Sequence, residues 1–494
     1  MTDRSPRALD LGPLVATLAG ARATGDLDRV ALGVAHDSRA VRPGSIFVAL
    51  RGERADGHAF LAQAVAAGAG AVVVDEAFAR TSEPPPGAAA IVVPDTRRAL
   101  SQLAAAFYGF PSSGLAVVGI TGTNGKTTTT YLVDALLGAA GIVAGRIGTL
   151  GAEFGGDSWT LENTTPLAPE LQSLLAEMRE RGAEAVVMEV SSHALALDRV
   201  ADVGFALGVL TNVTRDHLDF HGTFEAYAAA KRRLFDLAAV AVLNLDDPCG
   251  RQWAAELGDA GREPRTYGLA PGAAVRARDV EIRSDGSRFS VDGQEFRLQL
   301  PGRFNVSNAL AALCVGRELG VSDAHAAQAL AGVGSVPGRM ERIAGAGIEA
   351  IVDYAHTPDA LESVLHAARE GARGRLIVVF GCGGDRDRGK RPQMGRIASE
   401  LADRAFVTSD NPRTEDPQSI VDGILAGIPA GGDTVVELDR REAIRRAIGE
   451  ARTGDVVLVA GKGHETYQIV GRTVGHFDDR EEVRAALAAR SSPS

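Results

Sequence analysis

The sequence predicts an α/β fold of three domains, and three observations support this prediction. Its 494 residues exceed the ~250–300 residues beyond which a single hydrophobic core stops growing. Short apolar runs alternate with helical stretches along most of the chain, which is typical of strands buried between helices. Two linker-like segments, residues 109–114 and 337–338, separate three blocks. We therefore predict domains over residues 1–110, 111–336 and 337–494.

The first block alternates apolar strands with helices. The predicted strands cover residues 45–50, 71–75 and 90–94, and the predicted helices cover residues 59–67 and 97–108. Continuous apolar runs of this length are typical of strands that are covered on both faces. The N-terminal domain is therefore expected to be an α/β layer structure.

The middle block begins with a strand over residues 116–120, and the same alternation continues after it. Further strands and helices are predicted over residues 185–190, 205–211 and 240–244 (strands) and 128–137, 167–181, 223–235 and 305–319 (helices). This order indicates a mostly parallel sheet with helices on its faces. Residues 275–300 instead alternate polar and apolar side chains around two Asp-Gly turns, which predicts hairpins.

The last block has the same α/β pattern. Its predicted strands cover residues 350–353, 375–381, 404–408 and 455–460. Three polar loops, residues 381–391, 410–413 and 461–465, each follow one of these strands. Because ligands of open α/β sheets bind outside the carboxyl ends of strands, these loops are candidate site segments. For the basic loop 381–391, an anion site and a solvated turn are both possible interpretations.

Composition narrows the function classes. A net charge of −11 argues against a general affinity for nucleic acid. No apolar run approaches the ~20 residues that span a bilayer, and the first eleven residues lack an apolar signal core. Cys249, Cys314 and Cys382 are widely spaced, which is typical of a reducing compartment without structural disulfides. We therefore expect a cytoplasmic protein that neither inserts into membranes nor binds nucleic acid.

A glycine-rich loop joins the first strand of the middle block to its first helix. This strand–loop–helix order lets backbone N–H groups and the helix N-terminus face the phosphates of a nucleotide. A lysine in the loop adds positive charge, and the threonine after it can bind Mg²⁺ through its hydroxyl. The loop residues predicted to bind a nucleoside triphosphate are Gly122, Thr123, Asn124, Gly125, Lys126, Thr127 and Thr128.

Three other polar residues of the middle block differ in how strongly their sequence pattern indicates a site. Glu189 lies at a strand end, where a role as a ligand of Mg²⁺ is favoured over a structural carboxylate. His217 fits a metal or phosphate contact and a structural role equally well. Lys231 belongs to the basic face of a helix, and this pattern alone does not indicate a site.

Five further polar residues lie on either side of the second linker. Asn305 and Asn308 lie at a helix start, where N-capping by Ser307 or Asn305 is the alternative to a site. Arg339, Asp353 and His356 follow the linker in a pattern that resembles the rim of a site more than a core.

The ordered motifs resemble the Mur ligases of peptidoglycan synthesis over essentially the whole chain. They are Thr-Gly-Thr-Asn-Gly-Lys-Thr (121–127), Asn-Thr-Thr-Pro (163–166), Glu-Val-Ser-Ser-His (189–193), Asp-His-Leu-Asp (216–219), Asp-Tyr-Ala-His (353–356) and Gly-Lys-Gly-His-Glu (461–465). The resemblance implies an N-terminal UDP-binding domain, a central P-loop ATPase-like domain with a parallel sheet, and a C-terminal Rossmann-like domain. It also implies that ATP converts a carboxylate to an acyl phosphate, from which an amine displaces phosphate to form an amide.

The resemblance further implies roles for individual residues. The catalytic residues would be Lys126, His217 and Lys231, the last carbamylated by CO₂ to N6-carboxylysine. Two Mg²⁺ ions would be served by Thr127, Glu189, His217 and the carbamate on Lys231. Besides the glycine-rich loop, ATP would contact Asn305, Asn308, Arg339, Asp353 and His356. The substrate UDP-N-acetylmuramoyl-L-Ala-D-Glu would contact Ser38, Thr164, Thr165, Ser191 and Arg199.

The same resemblance implies the amino acid that is added. The segment Asp-Asn-Pro-Arg at 410–413 resembles the type that uses meso-2,6-diaminopimelate, which is lysine with an extra carboxylate. Arg413, assisted by Arg386, can hold that carboxylate through paired hydrogen bonds. The residues assigned to diaminopimelate are Arg386, Asp410, Asn411, Pro412, Arg413, Gly461 and Glu465. A monomer is expected.

Three alternatives stay open at this point. The first is the same ligation with L-lysine, although Arg413 would oppose the terminal ammonium of lysine. The second is a folylpolyglutamate-type ligase, against which the serine–histidine segment after Glu189 and the segment 410–413 argue. The third is a nucleotide-gated switch without ligation, whose nucleotide turnover would not depend on any amino acid.

Overall fold

The computed structural model describes residues 7–52, 55–283 and 285–491. The chain divides into two compact units, each built from separate stretches of sequence. The first comprises Met1–Gly119, Val143–Gly208 and Arg233–Ala239, and the second comprises Ile120–Ile142, Val209–Arg232 and Val240–Ser494. Across the described ranges, no helix combines the length and the apolar character that crossing a bilayer requires.

The N-terminal block forms a five-stranded sheet with helices packed against it. Its elements are β1 (Leu9–Asp10), α1 (Leu11–Ala16), β2 (Arg22–Thr24), β3 (Val30–Ala31), β4 (Gly33–Ala35), β5 (Ser45–Val48), α2 (Leu61–Ala66), β6 (Ala71–Asp75), α3 (Glu76–Ala79), β7 (Ala89–Val93) and α4 (Thr96–Phe107). The strand order is β2-β7-β6-β5-β4, and all neighbours except β2 and β7 run parallel. The strand predicted over residues 71–75 coincides with β6, which is buried on both faces because helices cover the sheet.

The middle block begins at the strand that precedes the glycine-rich loop. Its elements are β8 (Ala116–Thr121), α5 (Lys126–Ala139), β9 (Ala144–Gly148), β10 (Gly151–Phe154), β11 (Asp157–Trp159), α6 (Ala168–Glu180), β12 (Ala185–Glu189), α7 (Ser192–Ala196), β13 (Phe205–Leu210), α8 (Leu218–His221), α9 (Phe224–Arg232), α10 (Leu234–Leu237), β14 (Ala238–Asn244), α11 (Pro248–Asp259), β15 (Arg265–Gly268), β16 (Val275–Arg276), β17 (Arg278–Arg283), β18 (Gly286–Val291), β19 (Gln294–Leu298), α12 (Arg303–Glu318) and α13 (Asp323–Gly332).

Each unit contains its own strand pairings from this block. In the first unit, β9 pairs parallel with β12 and antiparallel with β10. In the second unit, β15 pairs parallel with β14 and with β16. The strands β17, β18 and β19 form an antiparallel meander, which confirms the hairpins predicted from the polar alternation. The one difference is β16, a short strand that pairs with β15 before the meander begins.

The C-terminal block is a six-stranded sheet between two layers of helices. Its elements are β20 (Glu341–Gly345), β21 (Ile348–Asp353), α14 (Pro358–Gly371), β22 (Leu376–Phe380), α15 (Lys390–Leu401), β23 (Arg404–Val407), α16 (Pro417–Leu425), β24 (Thr434–Val436), α17 (Arg440–Glu450), β25 (Val456–Ala460), β26 (Tyr467–Val470), β27 (Thr473–His476) and α18 (Asp479–Ser491). The strand order is β20-β21-β25-β22-β23-β24, and only β20 runs antiparallel to its neighbour.

The central strand β22 is an uninterrupted apolar run because both of its faces are buried. Leu376, Val378 and Phe380 point to one hydrophobic cluster, which includes residues of α14, α15 and α16. Ile377 and Val379 point to the opposite cluster, which includes residues of α17 and α18. Because helices cover both faces, every position of the strand is apolar. The α/β fold class predicted from the sequence is confirmed.

A buried ion pair joins the starts of α17 and α18. Arg440 donates from Nε and Nη2 to the two carboxylate oxygens of Asp479, both at 2.7 Å, and the two side chains are 0% exposed. Arg440 Nη2 also donates to the carbonyl of Ala460 at 2.9 Å. The pair therefore connects the N-termini of two helices to the carboxyl end of β25.

We expect Arg440→Met to destabilise the protein by about 3–5 kcal/mol, because Asp479 would remain buried without its partner. A double variant, Arg440→Met with Asp479→Leu, should recover much of this loss, since no charge is then left buried. Thermal unfolding midpoints of the two variants and the native chain measure the effect. Equal midpoints for the single and double variants would contradict this account of the pair.

Candidate active site

Two glycines allow the loop after β8 to pack closely against its surroundings. Gly122 and Gly125 have φ angles of +153° and +86°, which L side chains rarely adopt. A Cβ atom on Gly122 would lie 1.8 Å from Oγ1 of Thr211, and one on Gly125 would lie 2.4 Å from Oδ1 of Asn308. Both glycines of the motif are therefore required by space as well as by conformation.

The segment after β13 holds the glycine-rich loop from one side. Thr211 donates from Oγ1 to the carbonyl of Asn124 at 2.6 Å, and the Asn124 N–H donates to Oδ1 of Asn212 at 2.9 Å. Lys126 at the start of α5 donates from Nζ to the carbonyls of Gly122 and Thr123, at 2.8 and 2.9 Å. The ammonium of Lys126 therefore lies at the loop, where the charge of a bound phosphate would be neutralised.

Lys231 on α9 lies at the same loop and is almost fully buried, with 1% of its surface exposed. Its Nζ donates to the carbonyl of Gly122 at 2.8 Å and lies 4.6 Å from the centre of the Tyr227 ring. Burial lowers the pKa of Lys231 far below its usual value, the nearby Lys126 lowers it further, and Asp216 opposes the fall. Burial therefore favours the neutral amine over the ammonium, and the structure brings this amine to the phosphate loop.

His217 and His356 both lie near one oxygen of a buried carboxylate, that of Asp216. The Nε2 atoms of His217 and His356 lie 3.3 and 3.9 Å from Oδ2 of Asp216. Burial raises the pKa of Asp216, but the positive charge of His217, His356 and Lys390 outweighs it and holds the value at about 2. Asp216 is therefore an anion at neutral pH, and it was not among the site residues predicted from the sequence.

Arg339 links the C-terminal block to the phosphate loop. It donates from Nη2 to Oγ1 of Thr127 at 3.0 Å, and its guanidinium lies 4.6 Å from the centre of the Tyr354 ring. Asp353, at the end of β21, accepts from the N–H of Met340 at 2.7 Å and so fixes the chain beside Arg339. The structure therefore places Arg339 at the loop and Asp353 behind it.

The two asparagines of α12 lie within the helix, and Asn308 contacts α5. The helix begins at Arg303 without a side-chain cap, so the interpretation that Ser307 or Asn305 caps it is wrong. Asn308 accepts at Oδ1 from the hydroxyl of Thr129 at 3.3 Å and donates from Nδ2 to Asn305 at 3.2 Å. Buried amides at this point hold the start of α5 in place.

A carboxylate that the sequence analysis missed also contacts the loop. Asp359, in the first turn of α14, accepts at Oδ2 from Nδ2 of Asn124 at 2.8 Å and from Oγ1 of Thr214 at 3.5 Å. Burial raises the pKa of Asp359, and the hydrogen bond from Asn124 opposes the rise. The only sequence signal was its position after a Thr-Pro helix start, which many helices share.

A second group of predicted residues lies together in the first unit. Glu189, at the end of β12, accepts from the N–H of Thr149 at 2.9 Å and from its hydroxyl at 3.0 Å. The Thr149 hydroxyl is also hydrogen-bonded to that of Thr164 at 3.1 Å, and Thr165 donates to the carbonyl of Glu189 at 2.9 Å. Thr149 was not predicted, because nothing marks a threonine in a turn as a partner of a distant carboxylate.

Two more predicted residues belong to this group. Ser191 donates its N–H to Oγ1 of Thr165 at 3.0 Å, and Arg199 donates from Nη1 to the carbonyl of Thr165 at 3.0 Å. Burial lowers the pKa of Arg199. Ser38, in the N-terminal block, instead donates its hydroxyl to Gln63 at 3.2 Å. The structure therefore gathers Thr164, Thr165, Ser191 and Arg199 around the end of β12.

The loops after β23 and β25 meet through a buried lysine. Lys462 donates from Nζ to Oδ1 of Asn411 at 3.2 Å and to Oε2 of Glu465 at 3.1 Å. Asn411 in turn donates from Nδ2 to Oε2 of Glu465 at 2.9 Å. A Cβ atom on Gly461 would lie 2.6 Å from Oδ2 of Asp410, so the two loops pack closely. The predicted residues Asp410, Asn411, Gly461 and Glu465 are thus together, and Lys462 was missed.

Arg413 has an unusual backbone conformation that a neighbouring hairpin holds. Its φ angle is +53°, in the left-handed region. The N–H of Arg413 donates to the carbonyl of Ile469 at 3.1 Å, and its carbonyl accepts from the N–H of Gly471 at 2.7 Å. Its Nη1 donates to the carbonyl of Gly384 at 2.9 Å, which brings it to the loop that carries Arg386. The segment 410–413 is therefore held by two other loops.

Two of the predicted metal ligands, Thr127 and Glu189, have side-chain oxygens of the kind that bind Mg²⁺ together with a phosphate group. In the part of the chain that the structure describes, no group of three or more His, Cys, Asp or Glu side chains is arranged to hold a metal ion. Magnesium commonly binds one or two protein oxygens together with substrate phosphates and water. In the second unit the Thr127 hydroxyl is a hard oxygen donor of this kind, and in the first unit the Glu189 carboxylate is another. Each of them, taken by itself, has the chemistry of a Mg²⁺ ligand.

Comparisons with known proteins match the chain over nearly its whole length. Three family models match: the Mur ligase family catalytic domain over residues 32–108, the Mur ligase middle domain over 120–316, and the Mur ligase glutamate ligase domain over 338–463.

Individual relatives cover most of the chain. The UDP-N-acetylmuramoyl-L-alanyl-D-glutamate–2,6-diaminopimelate ligase of Gloeobacter violaceus is 50% identical over 469 residues, which is 93% of this chain and 94% of the relative. The enzyme of the same name from Thermosynechococcus vestitus is 49% identical and covers 91% of each chain. A solved structure of a protein of that name is 34% identical, with a TM-score of 0.66, and covers 95% of this chain and 97% of its own.

Proposed function

Because this chain belongs to the Mur ligase family, we propose that it is the member that joins 2,6-diaminopimelate to the D-Glu of UDP-N-acetylmuramoyl-L-Ala-D-Glu in peptidoglycan synthesis. The observation that carries the choice of amino acid is the position of Arg413, which donates to the carbonyl of Gly384 in the loop of Arg386. The charges of Arg413, Arg386, Glu465 and Asp410 all act on the same side chain, that of Tyr467. Such a group of charges suits a substrate that ends in both a carboxylate and an ammonium. The meso isomer is the form proposed.

The reaction is an ATP-dependent amide ligation. The D-Glu γ-carboxylate attacks the γ-phosphorus of ATP, ADP leaves, and an acyl phosphate forms. The amine of diaminopimelate then attacks the acyl carbon, phosphate leaves, and the amine loses a proton as the amide forms. A carboxylate cannot expel oxide, whereas the acyl phosphate expels phosphate readily. The protein contributes mainly by positioning the reactants and neutralising their charge.

We assign ATP to the glycine-rich loop and the residues around it. The backbone N–H groups and side chains of residues 122–128 would hold the phosphates, with Lys126 as the cation nearest to them. Asn305, Asn308, Arg339, Asp353 and His356 would complete the nucleotide site. In the second unit Thr127 and His217, and in the first unit Glu189, would serve two Mg²⁺ ions. When bound, Mg²⁺ supplies positive charge to the phosphate oxygens.

We further propose that Lys231 carries a carbamate derived from CO₂. Only a neutral amine attacks CO₂, and the burial of Lys231 lowers its pKa and so favours that neutral form. As Nζ forms a bond to the carbon of CO₂, the amine releases one proton, so the product is an anion. A lysine that would repel a cation thereby becomes a group that would help to organise the metal site. The neighbouring ammonium of Lys126 would favour the new negative charge.

The remaining assignments concern the other substrate and the organisation of the chain. The muramoyl peptide nucleotide would contact Ser38, Thr164, Thr165, Ser191 and Arg199, which lie in the first unit.

Residues 1–110 would form the UDP-binding domain, 111–336 the ATP-binding domain and 337–494 the domain that binds the amino acid. The protein would act as a monomer in the cytoplasm, where ATP and the nucleotide substrate are made, and without a nucleic-acid partner.

Phosphate release tests this function directly. With ATP, Mg²⁺ and UDP-N-acetylmuramoyl-L-Ala-D-Glu, we expect sustained phosphate release only when meso-diaminopimelate is added. Parallel reactions contain L-lysine, LL-diaminopimelate or no amino acid. The physical reason is that the acyl phosphate turns over only when an amine is bound in place. Mass spectrometry of the nucleotide product should show the added diaminopimelate.

Other outcomes of the same experiment separate the alternatives. Equal or faster release with L-lysine would keep the ligase but overturn the role given to Arg413. Release that is indifferent to every amino acid would indicate a nucleotide switch and overturn the ligase. A reaction without the muramoyl peptide serves as the control for contaminating ATPase activity.

A further inference from the structure

Lys462 is the buried cation between the two loops assigned to the amino acid. Its side chain is 0% exposed, and its Nζ lies 3.1 Å from Oε2 of Glu465 and 4.0 Å from Oδ1 of Asp410. The third partner is Oδ1 of Asn411 at 3.2 Å, which also accepts the N–H of Ile469 at 2.9 Å. One ammonium therefore lies against both acidic side chains of the site.

The acidic side chains and the arginines of this site all influence the pKa of one neighbouring side chain, Tyr467. Burial raises the pKa of Tyr467, Glu465 and Asp410 raise it further, and Arg413 and Arg386 oppose the rise. Lys462 Nζ lies 5.5 Å from the centre of this ring. Two acidic and three basic side chains thus act on Tyr467, which is itself exposed.

The charge of this site depends in part on Lys462. Its ammonium lies beside Glu465 and Asp410, so replacing it with a neutral side chain removes one positive charge from beside these two acids. Lysine and diaminopimelate share the terminal ammonium and differ by one carboxylate. The net charge of the site therefore acts on the carboxylate that distinguishes the two amino acids.

We infer that Lys462 determines amino-acid specificity: by neutralising one of the two acids, it lets Arg413 and Arg386 favour an amino acid with a terminal carboxylate over one without it. This inference rests on the proposed function and adds a residue to it. Lys462 acts through charge and through the positions of Glu465 and Asn411, and it is a specificity residue with no step of its own in the chemistry.

The test is the ratio of kcat/KM for meso-diaminopimelate to kcat/KM for L-lysine. Lys462→Met keeps most of the length of the side chain and removes its charge. We expect the ratio to fall by about tenfold or more, the effect of one charge several ångströms away in a partly buried site. The KM for ATP should change little, because the glycine-rich loop is unaltered.

Two variants serve as matched controls. Lys390→Met removes another buried lysine of the same block, one that donates to the carbonyl of His356 at 2.8 Å, and it should lower both activities without changing the ratio. Lys462→Arg keeps the charge and should keep the ratio even if the larger side chain slows the enzyme. Thermal unfolding shows which variants are folded.

Each outcome decides between the inference and its alternatives. A Lys462→Met enzyme that loses both activities in equal proportion would show a purely structural role and overturn the inference. A folded Lys462→Arg enzyme with a changed ratio would overturn the inference as well. Should Lys462→Met fail to fold, the ratio measured for Lys462→Arg becomes the deciding result. A native enzyme that prefers L-lysine would instead overturn the proposed function, a result visible before any variant is made.

Discussion

Replacing Lys231 with methionine is expected to lower the rate of ligation by about 10²–10³-fold, the usual cost of removing a group that organises charge at a reacting phosphate. The side chain lies against the carbonyl of Gly122, and methionine fits the same buried space without an amine. The steady-state rate of phosphate release with all substrates measures the loss. Because Lys231 is not a phosphate ligand in this account, the KM for ATP should rise much less than kcat falls.

The carbamate gives this prediction a second readout. With ¹³C-bicarbonate, the native enzyme should show a carbamate carbon signal that Lys231→Met lacks, and removal of CO₂ should lower native activity. A short carboxylic acid such as formate should restore part of the activity of a Lys231→Ala variant. Arg232→Ala is the matched control, since Arg232 follows on the same helix and pairs with Glu256 at 3.7 Å. Full activity of Lys231→Met in the absence of CO₂ would contradict the proposed modification.

The second large effect is expected at Arg413. Arg413→Ala should lower kcat/KM for meso-diaminopimelate by about 10²–10³-fold, because the terminal carboxylate would lose a charged, paired hydrogen bond in a partly buried site. Activity with L-lysine should stay the same or rise, since the repulsion of its ammonium is removed. Kinetics with each amino acid at saturating ATP measure both changes.

The control for Arg413 comes from the same basic region. Arg388 is mostly exposed and pairs with Glu415 at 3.2 Å, so Arg388→Ala should leave both activities near their native values. A loss of similar size with both amino acids in Arg413→Ala would mean that the arginine supports the fold of its loop, and it would contradict a role in recognising the carboxylate.

The sequence predicted much of the fold because the core strands are nearly continuous apolar runs. The prediction for residues 71–75 coincided with β6, and that for 455–460 matched β25 closely, since strands covered on both faces leave a strong local signal. The glycine-rich loop was predicted for a similar reason, because its chemistry lies within eight consecutive residues. Strands such as β9 and β24 were missed, since a short strand with glycine or exposed positions has no such signal.

The parts of the site that escaped prediction depend on contacts between distant residues. Thr149 and Glu189 are 40 residues apart, and Asn124 and Asp359 are 235 apart. Neither Thr149 nor Asp359 lies in a sequence motif that indicates a chemical role. Lys462 lies inside one of the family motifs, but its contact with Asn411 depends on the fold and could not be predicted from the sequence. The lowered pKa of Lys231 likewise follows from burial, which could not be predicted from a basic stretch of helix.

The left-handed backbone of Arg413 limits the evolutionary routes by which this ligase could change its amino acid. At a φ angle of +53°, glycine has no steric penalty and asparagine a small one, whereas β-branched residues are strongly disfavoured. A lineage that abandons the terminal carboxylate must therefore also satisfy the backbone at position 413. Successful descendants should carry small or amide side chains there more often than valine or isoleucine, although all of these remove the positive charge equally well.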